Sequence, residues 1–285
     1  MHKVLIIGSA GLLGSTLLRY LVGKDDVEIF GTVRSFAPVQ LLPENLRTRI
    51  LSNVDVENFD HLLKLFSNIR PDVVVNCVGI VKQLSEANDP LTAIPINSLL
   101  PHRLAKLCAV VGARFIHFST DCVFSGSKGM YKESDSPDAT DLYGISKLLG
   151  EVSYANAITL RTSLIGQELR EKRSLVNWFL SQSGSVKGFR RAIFSGLPTV
   201  EIARVLHRFV LPNSDLRGLY HLSVDPISKL DLLNLVAKAY GKEIEIMPDD
   251  GLVIDRSLDS SLFRAATGYR PRPWPELVQA MYEFG

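Results

Sequence analysis

The stretch Val4-Leu5-Ile6-Ile7-Gly8-Ser9-Ala10-Gly11-Leu12-Leu13-Gly14 limits what this chain can fold into more than any other. Four consecutive branched or long apolar residues without polar alternation suit a strand buried on both faces, as in a parallel sheet. Glycines at every third position, Gly8, Gly11 and Gly14, then release the backbone into a turn. Leu13, Leu17, Leu18 and Leu21 resume at helical spacing. A helix N-terminus is therefore expected where the backbone is bare, and its unpaired N–H groups and dipole favour a phosphate. The spacing is G-x-x-G-x-x-G rather than the G-x-G-x-x-G dinucleotide fingerprint, so a nucleotide assignment rests on residues further along the chain.

A length of 285 residues, 46% of them hydrophobic, supplies core for one large α/β unit with a smaller appended lobe. The net charge of +2 gives no global attraction for nucleic acid or an acidic membrane, and no clustered basic face carries interleaved aromatics. Met1-His2-Lys3 runs straight into the first strand. No run approaches the roughly 18 apolar residues of a membrane span, so a soluble, cytoplasmic protein is the expectation. Cys77, Cys108 and Cys122 form no C-x-x-C pair, and the six histidines stand at no paired ligand spacing. Neither a disulfide framework nor a metal site is expected.

Residues 27–34 read as a second strand, whose end is where a dinucleotide fold inspects the adenosine ribose. Thr32 and Arg34 stand there in place of an acidic residue, and a guanidinium suits a 2′-phosphate. That favours NADPH, with NADH as the alternative, against the plainer reading of a solvated arginine. Residues 49–66 read as a third β-α step and residues 71–76 as a fourth buried strand. The small-residue loop Cys77-Val78-Gly79 after it permits close approach of a ligand. A long helix to residue 111 precedes a fifth strand that ends at Ser119-Thr120-Asp121, the carboxyl end where ligands sit in open parallel sheets. A Gly-, Ser- and Asp-rich loop, residues 125–141, leads to a helix carrying Tyr143 and Lys147, and residues 157–161 close the sheet as a sixth strand. Residues 1–165 thus read as a doubly wound dinucleotide-binding domain. Residues 166–285, where the alternation loosens, read mainly as a substrate-binding lobe.

Tyr143 and Lys147 lie four apart, on one helix face within reach of a shared ligand. Alone, such a pair occurs on many ordinary helices. The fixed order of glycine turn, Thr120 and Tyr143-x-x-x-Lys147 resembles the extended short-chain dehydrogenase/reductase superfamily. Ser119-Thr120-Asp121 with Val123-Phe124 and Gly126, Tyr143-Gly144 with Ser146-Lys147, Leu160-Arg161-Thr162-Ser163, Gly196 with Pro198-Thr199, and Gly218-Leu219-Tyr220-His221-Leu222 are similar to dTDP-4-dehydrorhamnose reductases. The likeness covers nearly the whole chain.

That resemblance implies a Rossmann fold and hydride transfer from NADPH to the ketone of a nucleoside-diphosphate 4-keto-6-deoxy sugar, supplying deoxysugar for a surface polysaccharide. It implies Thr120, Tyr143 and Lys147 as the catalytic set. Tyr143 donates the proton, Thr120 hydrogen-bonds the carbonyl oxygen, and Lys147 holds the nicotinamide ribose. A free tyrosine titrates at about 10, and the Lys147 ammonium is expected to lower that value. The resemblance further implies Gly11, Leu12 and Leu13 at the pyrophosphate within the Gly8–Gly14 turn. Asp55 and Val56 fall at the adenine, and Cys77, Val78 and Gly79 at the nicotinamide. For the apolar members packing is an equal reading, and Asp55 reads equally as a loop cap.

Thr120 and Asp121 are the expected substrate contacts, and Arg190, Arg191, Lys187 and Arg256 are candidates for the substrate diphosphate. Cys122 departs from the tyrosine usual in the rhamnose-pathway reductases. It also lacks the carboxylate that the related dehydratases use to eliminate water. Two alternatives stand beside the reductase. One is a nucleotide-sugar epimerase, which Arg34 disfavours. The other is a non-catalytic NADP-binding regulatory subunit, as in methionine adenosyltransferase, which the intact Thr120, Tyr143 and Lys147 disfavour. Homodimers are common, and self-pairing is the prior expectation.

Overall fold

The computed structural model describes residues 1–37, 39–169 and 174–285. Strand β1, His2–Ile7, shows why the opening run has no polar alternation: Val4, Leu5, Ile6 and Ile7 are all fully buried. Val4 and Ile6 pack into the core on one face of the sheet, and Leu5 and Ile7 into the core on the other. The same division recurs along the sheet. Val73, Val75, Ile116, Phe118, Ile158 and Leu160 join the first core, and Val74, Phe115 and Ala157 the second. Each such side chain contributes about 1.5–3 kcal/mol by leaving water, so strands of this kind are placed at the centre of the molecule.

The other strands of this sheet are β2, Val27–Thr32; β3, Ile50–Leu51; β4, Val73–Asn76; β5, Arg114–Thr120; β6, Ala157–Thr162; and β7, Gly218–His221. All pair in parallel, in the order β7-β6-β5-β4-β1-β2-β3. Helices α1, Leu12–Leu21, and α2, Phe59–Ile69, lie over opposite faces. Helix α3, Leu100–Val111, joins α2; it continues without a break from the helical turns Pro90–Ala93 and Ile94–Leu99, so Pro101 lies inside a longer helix, just after its π-helical turn, where its missing N–H forgoes one backbone bond. This is a doubly wound Rossmann-type fold, and its strand order reverses between β1 and β4. The loops after those two strands therefore diverge above a crevice, the place where such sheets bind ligands.

The sheet does not close at its sixth strand as expected. β7 comes from far along the chain and pairs with β6 in the register Gly218 to Ile158 through His221 to Arg161. Arg114 of β5 fixes this return by donating to the carbonyl oxygens of Val210 and Leu216. The helix Thr199–Val205 likewise packs on α1, with Thr16 Oγ1 donating to Thr199 Oγ1 at 3.0 Å.

The remaining strands form small sheets beyond the main one. Ala192–Phe194 pairs with Ile227–Ser228 and Ile254–Asp255, Ser185–Phe189 pairs with Glu245–Asp249, and Leu164–Ile165 pairs with Leu197–Pro198. The helices Ser261–Thr267 and Trp274–Phe284 end the chain, joined through a proline-rich segment as the sequence suggests. Among the described residues no helix is long and apolar enough to cross a membrane.

Candidate active site

The turn after β1 is built for close approach. Gly8 takes a left-handed conformation, φ 91°, open to few residues other than glycine. A Cβ on Gly8 would also lie 2.7 Å from Val78 Cγ2, so the loops after β1 and β4 touch here. A Cβ on Gly14 would run into the Gly8 carbonyl, which lets α1 begin directly against the turn. Thr32, buried at the end of β2, accepts the Gly8 N–H through its side chain at 3.2 Å and the Ser9 N–H through its carbonyl at 2.8 Å. Gly11 caps α1 without a side-chain hydrogen bond, so the first N–H groups of the helix keep no side-chain partner.

A cavity of about 330 Å³ opens at this crevice, within the range of small-molecule sites. Gly11, Leu12 and Leu13 line one wall and Cys77, Val78 and Gly79 another, while Thr120, Asp121, Tyr143 and Lys147 complete it. These ten positions, expected from the sequence, therefore meet around one space.

β5 and the helix α4, Leu142–Leu149, set the polar groups. Asp141 caps α4, accepting the Gly144 N–H at 2.8 Å. Gly144 has no side chain to obstruct the Cys122 carbonyl or Ala139, so α4 lies against the turn Asp121–Val123. The Thr120 hydroxyl accepts from Cys122 N–H at 3.1 Å and donates to Asp121 Oδ1 at 3.2 Å. It also lies close to the Tyr143 phenol across the cavity and draws that group's pKa down.

That pull does not decide the phenol's state. Burial first, then the neighbouring Cys122, pushes Tyr143 above the ordinary tyrosine range. This corrects the expectation that Lys147 lowers it: the cost of burial outweighs the pull of Thr120, and Lys147 is not among the groups that act on the phenol. Its ammonium donates to the Phe118 carbonyl at 2.8 Å, is only 7% exposed, and is pushed by burial down to about 8. Burial also pushes Asp121 up, and Cys122 up to about 12. The site thus holds a protonated phenol and a cation close to the point of losing its charge.

Other expected residues stand outside the cavity lining. Arg34 is exposed just beyond β2. Asp55 is exposed and accepts the Glu57 N–H at 3.0 Å, which makes it the cap of its own loop, while Val56 packs beside the second core. Arg190 is a correction: it lies in the bend between the outlying strands Ser185–Phe189 and Ala192–Phe194 and pairs with Asp250 at 3.0 Å, both side chains more than half exposed. Lys187 pairs likewise with Asp249. Their positive charges are answered locally rather than aimed into the crevice.

Three polar residues at the site carry no assignment from the sequence. Asn76, at the end of β4, accepts the Val78 N–H at 3.1 Å and faces His117 Nδ1 at 3.2 Å. Asn97, in a π-helical turn at Ile94–Leu99, clasps Ile80 through its N–H at 2.9 Å and its carbonyl at 3.1 Å, and donates to Ser146 Oγ. Lys82 lines the cavity and pairs with Asp141 at 2.7 Å, joining the loop after β4 to the start of α4.

A family model, the RmlD substrate binding domain, matches residues 1–283. The chain belongs to this family. The chain is 32% identical over 165 residues to a probable low-salt glycan biosynthesis reductase, Agl14, of Haloferax volcanii, covering 56% of this chain and 52% of that protein. It is 31% identical over 154 residues to methionine adenosyltransferase 2 subunit beta of Bos taurus, covering 53% and 42%. These matches span about half the length of the curated relatives. In structure it is similar to a dTDP-4-dehydrorhamnose reductase of Bacillus anthracis in complex with NADP, with a TM-score of 0.80 and 20% identity, covering 99% of this chain and 98% of that one. At that identity the likeness establishes the fold, and the two sequence relatives differ in that one is named a reductase and the other is not.

Proposed function

We propose that this protein is an NADPH-dependent reductase of a nucleoside-diphosphate 4-keto-6-deoxy sugar, serving deoxysugar supply for a surface polysaccharide. The observation that carries the reading is the convergence of Thr120, Tyr143 and Lys147 on one cavity at the crevice between β1 and β4. The NADP complex of the structural relative and the reductase name of the Haloferax volcanii protein support it.

The glycine cradle fits a dinucleotide. In this reading Gly11, Leu12 and Leu13 border the pyrophosphate, the last two through N–H groups at the start of α1, while Gly11 N–H is turned to the Gly8 carbonyl and Gly8 and Gly14 shape the turn. Arg34 takes the 2′-phosphate, Asp55 and Val56 border the adenine, and Cys77, Val78 and Gly79 the nicotinamide. Bound NADPH supplies the hydride to the ketone carbon. Tyr143 gives its hydroxyl proton to the carbonyl oxygen as that oxygen gains charge, and burial keeps the phenol protonated for the purpose. Thr120 turns its hydroxyl from Asp121 to the same oxygen and orients it. Lys147, anchored by Phe118, holds the ribose. Asp121 borders the sugar. Residues 1–165 mainly serve the cofactor and 166–285 mainly the sugar, apart from β7.

The test is NADPH oxidation by purified protein with a panel of such keto sugars, the reduced product identified by mass and NMR. Tyr143→Phe is expected to lower turnover by roughly 10²–10⁴-fold while NADPH still binds; retained turnover removes Tyr143 from the mechanism. The Bos taurus relative favours a second reading, a binding subunit. Co-purification with a transferase, together with no turnover on any keto sugar, supports that reading instead. We read the protein as cytoplasmic and homodimeric, and light scattering of the purified chain tests the pairing.

A further inference from the structure

The parallel register of β4 and β5 sets Asn76 directly beside His117, and both side chains are buried, 1% and 0% exposed. They share the sheet face of Val74 and Phe115, and the imidazole stacks on the Phe115 ring. Polar groups in such a place have to answer each other. An asparagine amide presents a carbonyl oxygen on one side and an NH2 on the other. The Asn76 oxygen meets the Val78 N–H at 3.1 Å, so the NH2 is the end that faces His117 Nδ1 at 3.2 Å. A donor there requires Nδ1 to be bare, and in a neutral ring the proton then sits on Nε2. Nε2 is buried and finds no hydrogen-bond partner among the described residues. The ring thus holds the tautomer that satisfies Asn76 and strands a donor of its own. Burial first, then Lys147 and His102, keeps it from taking a second proton.

We propose that His117 is a positioning residue of the site: as the Nε2-protonated neutral tautomer it fixes which way the Asn76 amide faces, and through Asn76 it presets the loop Cys77-Val78-Gly79 for the cofactor. The inference rests on the reading that this cavity takes NADPH. Asn76, Cys77, Val78 and Gly79 line the cavity, and His117 stands behind them. Val78 Cγ2 fills the place a Gly8 Cβ would need, so a shift of this loop moves one wall of the crevice against the glycine turn. Were the Asn76 amide to turn over, its NH2 would meet the Val78 N–H donor to donor, and the loop would lose that tie to the end of β4.

The test begins with nitrogen NMR of the imidazole in folded, cofactor-free protein at neutral pH. Nδ1 is expected at the position of a bare ring nitrogen and Nε2 at that of a protonated one; a proton on Nδ1 overturns the proposal. Two variants then separate positioning from packing. His117→Phe keeps a ring beside Phe115 and removes the acceptor. His117→Asn gives up ring volume but offers a carbonyl oxygen near the place of Nδ1. In the Phe variant NADPH affinity by fluorescence titration is expected to fall about 3–10-fold, the worth of one hydrogen bond, and the Val78 amide resonance to move. In the Asn variant both are expected to stay close to the parent, although the chain unfolds at lower urea. A merely structural role predicts affinity that follows stability instead; that result, or parent-like binding in both variants, refutes the proposal. If the Phe variant does not fold, the tautomer and the Asn variant decide, and an Asn variant with weakened NADPH binding counts as refutation. A parent chain that binds no NADPH would count against the cofactor reading, and the tautomer and the Val78 resonance would still decide this one.

Discussion

Replacing Lys147 by methionine is expected to make the protein more stable at neutral pH and less stable in alkali. The lysine titrates at about 8 in the folded chain against an ordinary value of 10.5. Below pH 8 both folded and unfolded states carry the proton, and the folded state bears the whole cost of burying it. Between pH 8 and 10.5 the folded chain releases the proton first, the unfolded chain binds more, and stability rises. At about 1.36 kcal/mol per pH unit, the gap between 10.5 and 8 amounts to about 3 kcal/mol. Methionine is of similar volume and uncharged, so it escapes that cost. It forfeits the bond to the Phe118 carbonyl, about 1 kcal/mol. Lys147→Met should therefore gain about 2 kcal/mol at pH 7 and lose about 1 kcal/mol above pH 10.5. Urea unfolding of parent and variant at the two pH values measures the difference, in which the other titrating groups cancel. A variant less stable at pH 7, or a difference that does not change sign with pH, would refute the argument that the cost of burying this ammonium exceeds what its partners return.

Gly14→Ala sets a methyl against the Gly8 carbonyl, a backbone atom that cannot swing aside; a loss of about 1–3 kcal/mol in unfolding free energy is expected, with weakened NADPH binding in a fluorescence titration. Glu201 is fully buried and answers Arg204, Arg272 and the Tyr269 hydroxyl, so Glu201→Gln should cost about 3–5 kcal/mol at pH 7. Because these partners hold Glu201 below the usual glutamate range, its contribution is present above pH 4.5 and fades as pH falls through its folded value, which acid unfolding of the two proteins compares. The cavity thiols Cys77 and Cys122, both pushed up by burial, should react with iodoacetamide at pH 8 far more slowly than a free thiol, as followed by peptide mass spectrometry.

The central strands are legible in the chain because a sheet covered on both faces leaves no polar alternation, and Val73-Val74-Val75 and Phe115-Ile116 carry that imprint as plainly as β1. The glycine turn, Thr120 and the Tyr143 and Lys147 pair are legible because each sits at a strand end or helix face with a steric requirement of its own. β7 is not. Its four residues begin with glycine and only His221 is fully buried, so its place in the sheet depends on a partner 60 residues earlier. The basic run at Arg190 resembles an anion site because sequence displays charges without their partners, and Asp249 and Asp250 lie on another strand and its end. Asn97 and His117 escape notice because a buried polar side chain leaves no periodic mark. The state of the phenol is hidden for a related reason, since neighbours at four-residue spacing reveal proximity but not how much water remains.

The late arrival of β7 bears on how the molecule is made. During synthesis the first six strands emerge long before Gly218, and until it appears β6 presents an open hydrogen-bonding edge to whatever meets it. Arg114 likewise waits for the carbonyls of Val210 and Leu216. The nascent first half is thus a sticky intermediate rather than a finished module. Ribosome-bound chains shorter than about 221 residues should be the species that chaperones engage and that aggregate when translation stalls.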